Sequence, residues 1–339
     1  MSDFRIDQIT NQAGTSGPQI AGITTFSSTS GLLMPLGPTE YRGGRDRGIF
    51  GGAYQGPAAK NTIDYVTIST TGNAFDFGDK TTGSTTGLWS SCSSSTRGLF
   101  AGGFSPNTNT IDYITISTTG NAFDFGDLFV GAYGAGAVSN NIRGMWGSGS
   151  PFGGFTGNNA IQFVTISTLG NASRFGDLNV SRTYISTANS STRGIFAGGS
   201  GTPTLTNNID FLTIMTTGNS VDFGDLITSV NTTDGGCSNS VRGIFGGNSP
   251  TVANVIQYIT IASTGDAQDF GDLSQSRTTV AATSNSTRAI FAGGATPTVV
   301  NTIDYVTIAT TGNATDFGDR TVTGQHIAAC SDAHGGLGD

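Results

Sequence analysis

Lysine has almost vanished from this chain. Of 339 residues only Lys60 and Lys80 are lysine, beside thirteen arginines, and the formal net charge is −8. Nucleic acid and anionic membranes both demand a dense positive surface, so the balance argues against either as a partner. No apolar run approaches the ~20 residues of a membrane helix, so no membrane insertion is expected. Histidine is limited to His326 and His334, with no G-x-S-x-G elbow or H-E-x-x-H helix beside them. No catalytic constellation is therefore legible, although a Cys330–His334 pair has a conceivable spacing. The three cysteines, Cys92, Cys237 and Cys330, lack C-x-x-C spacing and each closes a run of small residues. They read as buried free thiols on equivalent strands.

What the chain does have is glycine, 52 in all, with abundant Ser and Thr and few prolines. That composition points to short strands joined by tight turns. Internal periodicity organises it. Phe-Gly-Asp begins at Phe77, Phe125, Phe175, Phe223, Phe270 and Phe317. Arg followed by Gly or Ala and two apolar residues begins at Arg47, Arg97, Arg143, Arg193, Arg242 and Arg288. Between them lie IDY, IDY, IQF, IDF, IQY and IDY, from Ile63, Ile111, Ile161, Ile209, Ile256 and Ile303.

Each unit reads as four strands: a small-residue strand, the Arg strand closing on glycines, a β-branched and aromatic strand, and the Phe-Gly-Asp strand after a Thr-Gly-Asn hairpin. A period of ~40–50 residues with four strands per unit is that of a propeller blade. The phase adds closure. The chain enters at a second strand, Arg47, and leaves one spare stretch, His326–Ser331, to serve as the missing first strand. The predicted fold is thus all-β: a six-bladed β-propeller of antiparallel four-stranded blades over 47–339, with an extended arm over 1–46.

The double glycines Gly102-Gly103, Gly198-Gly199 and Gly293-Gly294, and the trailing Ser181-Arg182 and Ser276-Arg277, resemble the kelch family of propellers. The third unit departs, with Met145-Trp146-Gly147-Ser148-Gly149. The resemblance implies a fold and no chemistry. A second resemblance rests on TIDYVTI-x-TTGNA-x-DFGDL, on the opening MSDFRIDQITNQAGTSGPQIAGITTF and on GPTEYRGGR. This wording is similar to virion structural proteins of T4-like marine cyanophages. It implies a component of the tail, fibre or capsid surface, assembled in the host cytoplasm, with other virion proteins as partners and no cofactor.

Charges recurring in every unit imply structural work, with Arg–carboxylate bridges and turn bonds the natural form. A ring of Asp loops holding Ca²⁺ would need converging oxygen ligands, and no D-x-D-x-D-G loop exists, so no metal is expected. The recurring aromatics, such as Phe100, Tyr113 and Phe125, read as core between blades.

In a meander blade the first-to-second and third-to-fourth loops share one face. That face is nearly identical in all six units. The opposite face, built from second-to-third loops and blade links, varies. A specific binding surface is expected there, on Tyr54, Trp89, Phe104, Phe129, Tyr133, Phe152, Phe155 and Tyr184, reading a host glycan or protein by stacking and hydrogen bonds. Unconstrained drift of those loops would look the same. The arm carries apolar islands (Phe4, Ile6, Ile9; Ile20, Ile23; Leu32, Leu33, Met34, Leu36) too sparse for a core, and is expected to anchor the ring to a particle. The functional expectation is a non-enzymatic virion protein. A glycan-binding adhesin and a propeller hydrolase are the alternatives.

Overall fold

The structure, a computed structural model, describes residues 46–56, 59–81, 89–104, 108–151, 158–201, 205–229, 235–248 and 252–338. The arm residues named above, and Phe152 and Phe155 of the expected binding face, lie outside them.

Six four-stranded antiparallel sheets follow one another as the blades of a propeller. Blade two shows the pattern: Ser90–Ser93, Arg97–Ala101, Thr110–Thr115 and Phe123–Asp127, hydrogen-bonded in that order. Blade one is composite. Its strands Arg47–Tyr54, Ala59–Thr67 and Phe75–Asp79 are completed by Ala328–Ser331 from the C-terminus, with Ile49 opposite Cys330. The closure expected from the repeat phase is the closure observed. Asp46 already belongs to this ring rather than to the arm. Its carboxylate accepts from Ser69 N–H at 2.7 Å and from Asn285 Nδ2 at 2.6 Å.

The second strand of each blade is buried on both faces, because each blade is sandwiched between two others. Ile49 and Phe50, Leu99 and Phe100, Met145 and Trp146, and their counterparts are all nearly solvent-free. The apolar core is accordingly divided into six clusters among the described residues, each drawn from two adjacent blades. The cluster that joins Phe50 and Val66 to Ile290 and Phe317 seals blade six to blade one.

The Phe-Gly-Asp triplet has a mechanical explanation. In every blade the ladder between third and fourth strands slips by one residue. Ile111 faces Gly126 and Asp112 faces Asp124, so Phe125 is an extra residue. Such a bulge re-aims a side chain. Phe125 turns into the core, 2% exposed, while Phe123 two positions earlier stays outside. The glycine then allows the next blade to approach. Gly126 holds φ +145°, and a Cβ there would sit 2.6 Å from the carbonyl oxygen of Gly170 in blade three. The Asp contributes its backbone, since Asp127 N–H donates to Asn171 Oδ1 at 3.0 Å. Gly170 and Ala172 N–H donate to the carbonyls of Phe125 and Asp127. Each third-to-fourth hairpin thus caps the outer strand of the preceding blade, covering an edge that would otherwise invite pairing with other chains.

Blade three resolves the irregularity seen in its sequence. Ser148, at φ +65°, stands where other blades have the first glycine. The left-handed backbone is held because Ser148 Oγ donates to Asn158 O at 2.6 Å and also contacts Arg182 O.

Candidate interaction surfaces and the closed axis

Contrary to expectation, the recurring arginines form no carboxylate bridges among the described residues. Each lies over the aromatic ring of its own third strand, Arg47 at 4.7 Å from the Tyr65 centroid and Arg97 at 5.0 Å from Tyr113. Each then donates to a backbone carbonyl of the next blade, Arg47 to Ile116 O at 2.7 Å and Arg288 to Ser69 O at 2.7 Å. A planar cation that stacks and donates at once can staple two blades, which a lysine ammonium does poorly. The third-strand aromatics are in consequence half-buried rather than core.

The buried ion pairs come from elsewhere. Arg182, Arg277 and Arg320, all in blade links, meet Asp210, Asp304 and Asp64 of the following third strand at 2.7, 2.6 and 2.9 Å. Both partners of each pair are almost wholly out of water. Burial lowers the guanidinium pKa values and the aspartates oppose that shift. In the link to blade two the cation is Lys80, lying over the Trp89 ring. Its pKa falls well below the usual lysine range through burial, with Asp112 pulling the other way. Asp112 itself is raised by burial. Blades three and five have no basic residue in the preceding link, and there the strand carries Gln162 and Gln257 instead of Asp. Gln162 accepts from Val130 N and donates to Val130 O; Gln257 accepts from Ile227 N. The D/Q alternation in the repeat thus tracks the presence of a cation one link upstream. A buried acid without a base would be costly, and an amide satisfies the same backbone.

Around the axis the first strands join in a closed cycle. Ser93 donates to Ser331 O, Ser139 to Ser93 O, Asn189 to Ser139 O, Ser238 to Asn189 O, Ser284 to Ser238 O, and Ser331 to Ser284 O, all between 2.6 and 2.8 Å. Asn189, the one departure from serine, also meets His334 Nδ1 at 3.0 Å. Gly336 N–H donates to the same nitrogen at 3.1 Å, so Nδ1 is the acceptor and Nε2 carries the hydrogen, facing Ser93 O at 3.0 Å. The C-terminal segment therefore sits across the axis, leaving a cavity of about 40 Å³ lined by small side chains and the three cysteines. The three cysteines are in no disulfide, are buried and lie on equivalent first strands, as expected. Burial raises the Cys237 pKa far above the ordinary thiol value, which makes it a poor nucleophile. Both nitrogens of His334 are engaged, by Asn189 and Gly336 on one side and Ser93 on the other.

The aromatic surface expected on the variable face is largely not a surface. Links fold back on the second-to-third loop of the blade they enter: Ala132–Tyr133 pairs with Ser150–Pro151, and Arg182–Thr183 with Ser200–Gly201. These added ladders bury Tyr133, and Lys80 and Gly52 pack around Trp89, which is buried too. Phe104 is half-buried with its ring 4.6 Å from Tyr133, and Tyr54 is half-buried with its ring 6.3 Å from His326. Tyr184 is half-buried at φ +58°, its backbone N–H bonded to Gly134 O at 2.7 Å. Only Phe129, 61% exposed, is open among the described members of that set.

Exposed apolar residues stand on both faces: Val180 and Ile227 in links and Val252 in a second-to-third loop join Phe129 on the variable face, and others lie on the face expected to be uniform. Phe75 and Phe123, about two-thirds exposed, stand on the outer strands of blades one and two. Ile142, Leu169, Met215 and Val241 occupy loops of blades three to five. In blade five Tyr258, Ser263, Thr264, Asp266 and Gln268 line a cleft of about 230 Å³. Asp266 stands where the other five hairpins have Asn, and Gln268 stands at a position that varies from blade to blade. No His/Cys/Asp/Glu cluster fit to hold a metal ion occurs among the described residues.

No protein-family model matches this chain, and no curated protein sequence matches it.

Proposed function

We propose that this β-propeller is a structural, non-enzymatic component of a phage particle, displayed on its tail, fibre or capsid surface and joined to it through residues 1–46. The observation that carries the reading is the destination of the polar groups. Recurring arginines staple blade to blade, aspartates are matched to link cations, and both nitrogens of His334 are bound to the axis. Chemistry-bearing side chains are thus committed to holding the ring rigid, while apolar and polar departures are left on its outside for contact with other proteins or a host surface. The likeness of the repeat wording to cyanophage virion proteins supplies the particle, and the apolar islands of the arm supply an attachment.

The test is to delete residues 1–40 and follow incorporation. The truncated chain should still unfold cooperatively as a ring yet be missing from purified particles, while imaging of intact particles locates the full-length ring on their exterior. Incorporation without the arm, or a full-length chain found only in the host cytoplasm, defeats the reading.

A further inference from the structure

We infer that the cleft of blade five is a binding site for a single neutral sugar ring. The site is formed where blade five carries two residues, Asp266 and Gln268, that no other blade has at those positions. In blades one and two the outer strand places Phe75 and Phe123 against the third-strand rings Tyr65 and Tyr113, at 5.7 and 5.9 Å between centroids. Blades three, four and six have Ser173, Val221 and Thr315 at that register, and blade five alone has an amide, Gln268, opposite Tyr258. Gln268 lines a cleft of about 230 Å³ between the third strand and the hairpin. Ligand pockets for drug-sized molecules start near ~300 Å³, so this one suits one small ring.

Its polar groups are oriented. Tyr258 Oη donates to Gln268 Oε1 at 2.7 Å, so the oxygen of that amide is engaged and its Nε2 is the atom with hydrogens to donate. Asp266 Oδ1 accepts from Asp225 N–H at 3.0 Å, the bond that asparagine makes in the other five hairpins. Replacing that asparagine with a carboxylate puts an acceptor, Oδ2, where an amide nitrogen would be. Ser263 and Thr264 add hydroxyls, and the Tyr258 ring adds an apolar wall.

A carboxylate can accept from two vicinal hydroxyls, an amide can donate to a third oxygen, and an aromatic wall meets the C–H face of a pyranose. An anionic sugar is disfavoured by Asp266. A simple cation would leave the Gln268 donors unpaired. Arg242 occupies one face of the Tyr258 ring at 4.7 Å and so holds the wall in place. This inference does not rest on the phage assignment, which concerns location and not ligand.

The experiment uses the full chain, ¹⁵N-labelled, titrated into the tens of millimolar with the methyl hexopyranosides of glucose, galactose and mannose. At least one should shift the Gln268 side-chain amide and the Gly265 and Asp266 N–H signals in a saturable way, with a Kd of about 1 mM as suits a shallow one-ring site. The variant Asp266→Asn with Gln268→Thr writes the residues of blade six into blade five and so should fold as well, with an unchanged Tm. It should bind at least tenfold more weakly. Absence of any saturable shift, or equal binding by the double variant, overturns the site. Sugar binding that survives while the chain proves absent from particles would sink the phage assignment and leave this site standing.

Discussion

The Ser93 hydroxyl donates to the carbonyl of Ser331 at 2.6 Å, joining blade two to a strand 238 residues later in the chain. Ser331 in turn donates to Ser284 O at 2.6 Å, so one residue near the C-terminus links three blades. Around it, Arg47 N–H donates to Asp332 Oδ1 at 2.9 Å. Aligned hydrogen bonds polarise one another, and a cycle has no weak end unless one member is removed. Deleting residues 325–339 removes both the closing strand and the axial segment. That deletion should convert a single cooperative unfolding transition into a broad one and drive self-association through the exposed edge of Arg47–Tyr54. Calorimetry and light scattering read the two effects. A monomer with an unchanged transition would show that closure is dispensable.

Asp64 and Arg320 form a pair in which neither side chain touches solvent. Removing one charge from such a pair typically costs ~3–5 kcal/mol, whereas replacing both can be near neutral. The repeat itself supplies the replacement, because blades three and five use Leu128 with Gln162 and Leu226 with Gln257 at the same positions. Arg320→Leu alone should therefore be strongly destabilising, and Arg320→Leu with Asp64→Gln should recover most of the loss. Chemical denaturation of the two variants checks this. Equal destabilisation of single and double variants would mean the D/Q alternation has another cause.

Two phenylalanines of blade two test the bulge. Phe123 and Phe125 lie on one strand, two residues apart, and a regular ladder would send both to the same side. The register slip separates them: Phe125 is 2% exposed and Phe123 is 64% exposed. Phe125→Ala should cost ~3–5 kcal/mol, as for other buried phenylalanines. Phe123→Ala should stay within ~0.5 kcal/mol. Urea midpoints at constant m-value distinguish the two, and comparable losses would contradict the bulge.

How far the sequence alone carries can be judged from these residues. The blade count, the four strands and the closing role of Ala328–Ser331 follow from spacing, because a repeat states its own period. The burial of the link aromatics is not legible in the same way, because it depends on ladders between a link and a loop, such as Tyr133 with Ser150, that no local pattern announces. Arg97 illustrates a second limit. Its recurrence shows that every blade needs it, yet a guanidinium satisfies a carboxylate, a carbonyl or an aromatic face equally well on paper. The cation–Asp matching was legible all along, since Arg182, Arg277, Arg320 and Lys80 precede the four aspartates and nothing basic precedes the two glutamines. Asp266 is visible in the same way, as a break in a column of asparagines, whereas Gln268 sits at a position that varies from blade to blade and so announces nothing.

The two histidines make the ring sensitive to acid. Burial lowers both His326 and His334 to about 4, from an ordinary value near ~6.5. Between those values the unfolded chain takes up protons that the ring refuses, so stability is complete above pH ~6.5 and declines as pH falls towards 4. Each imidazole carries about 3 kcal/mol over that span. Asp112 and Asp210, raised by burial, act in the opposite sense near the acid end, because the ring binds their protons more readily than the unfolded chain does. The net slope therefore has to be apportioned by substitution. His334→Asn keeps an acceptor for Gly336 N–H but no longer titrates. Its Tm at pH 7.5 should be lower than that of the parent, because the bond to Ser93 O is lost. Its decline between pH 6.5 and 4.5 should be roughly half as steep, leaving His326 as the remaining source. If the variant loses stability as steeply as the parent, the imidazole of His334 is already charged in the folded ring, and the hydrogen-bond polarity assigned at the axis is wrong.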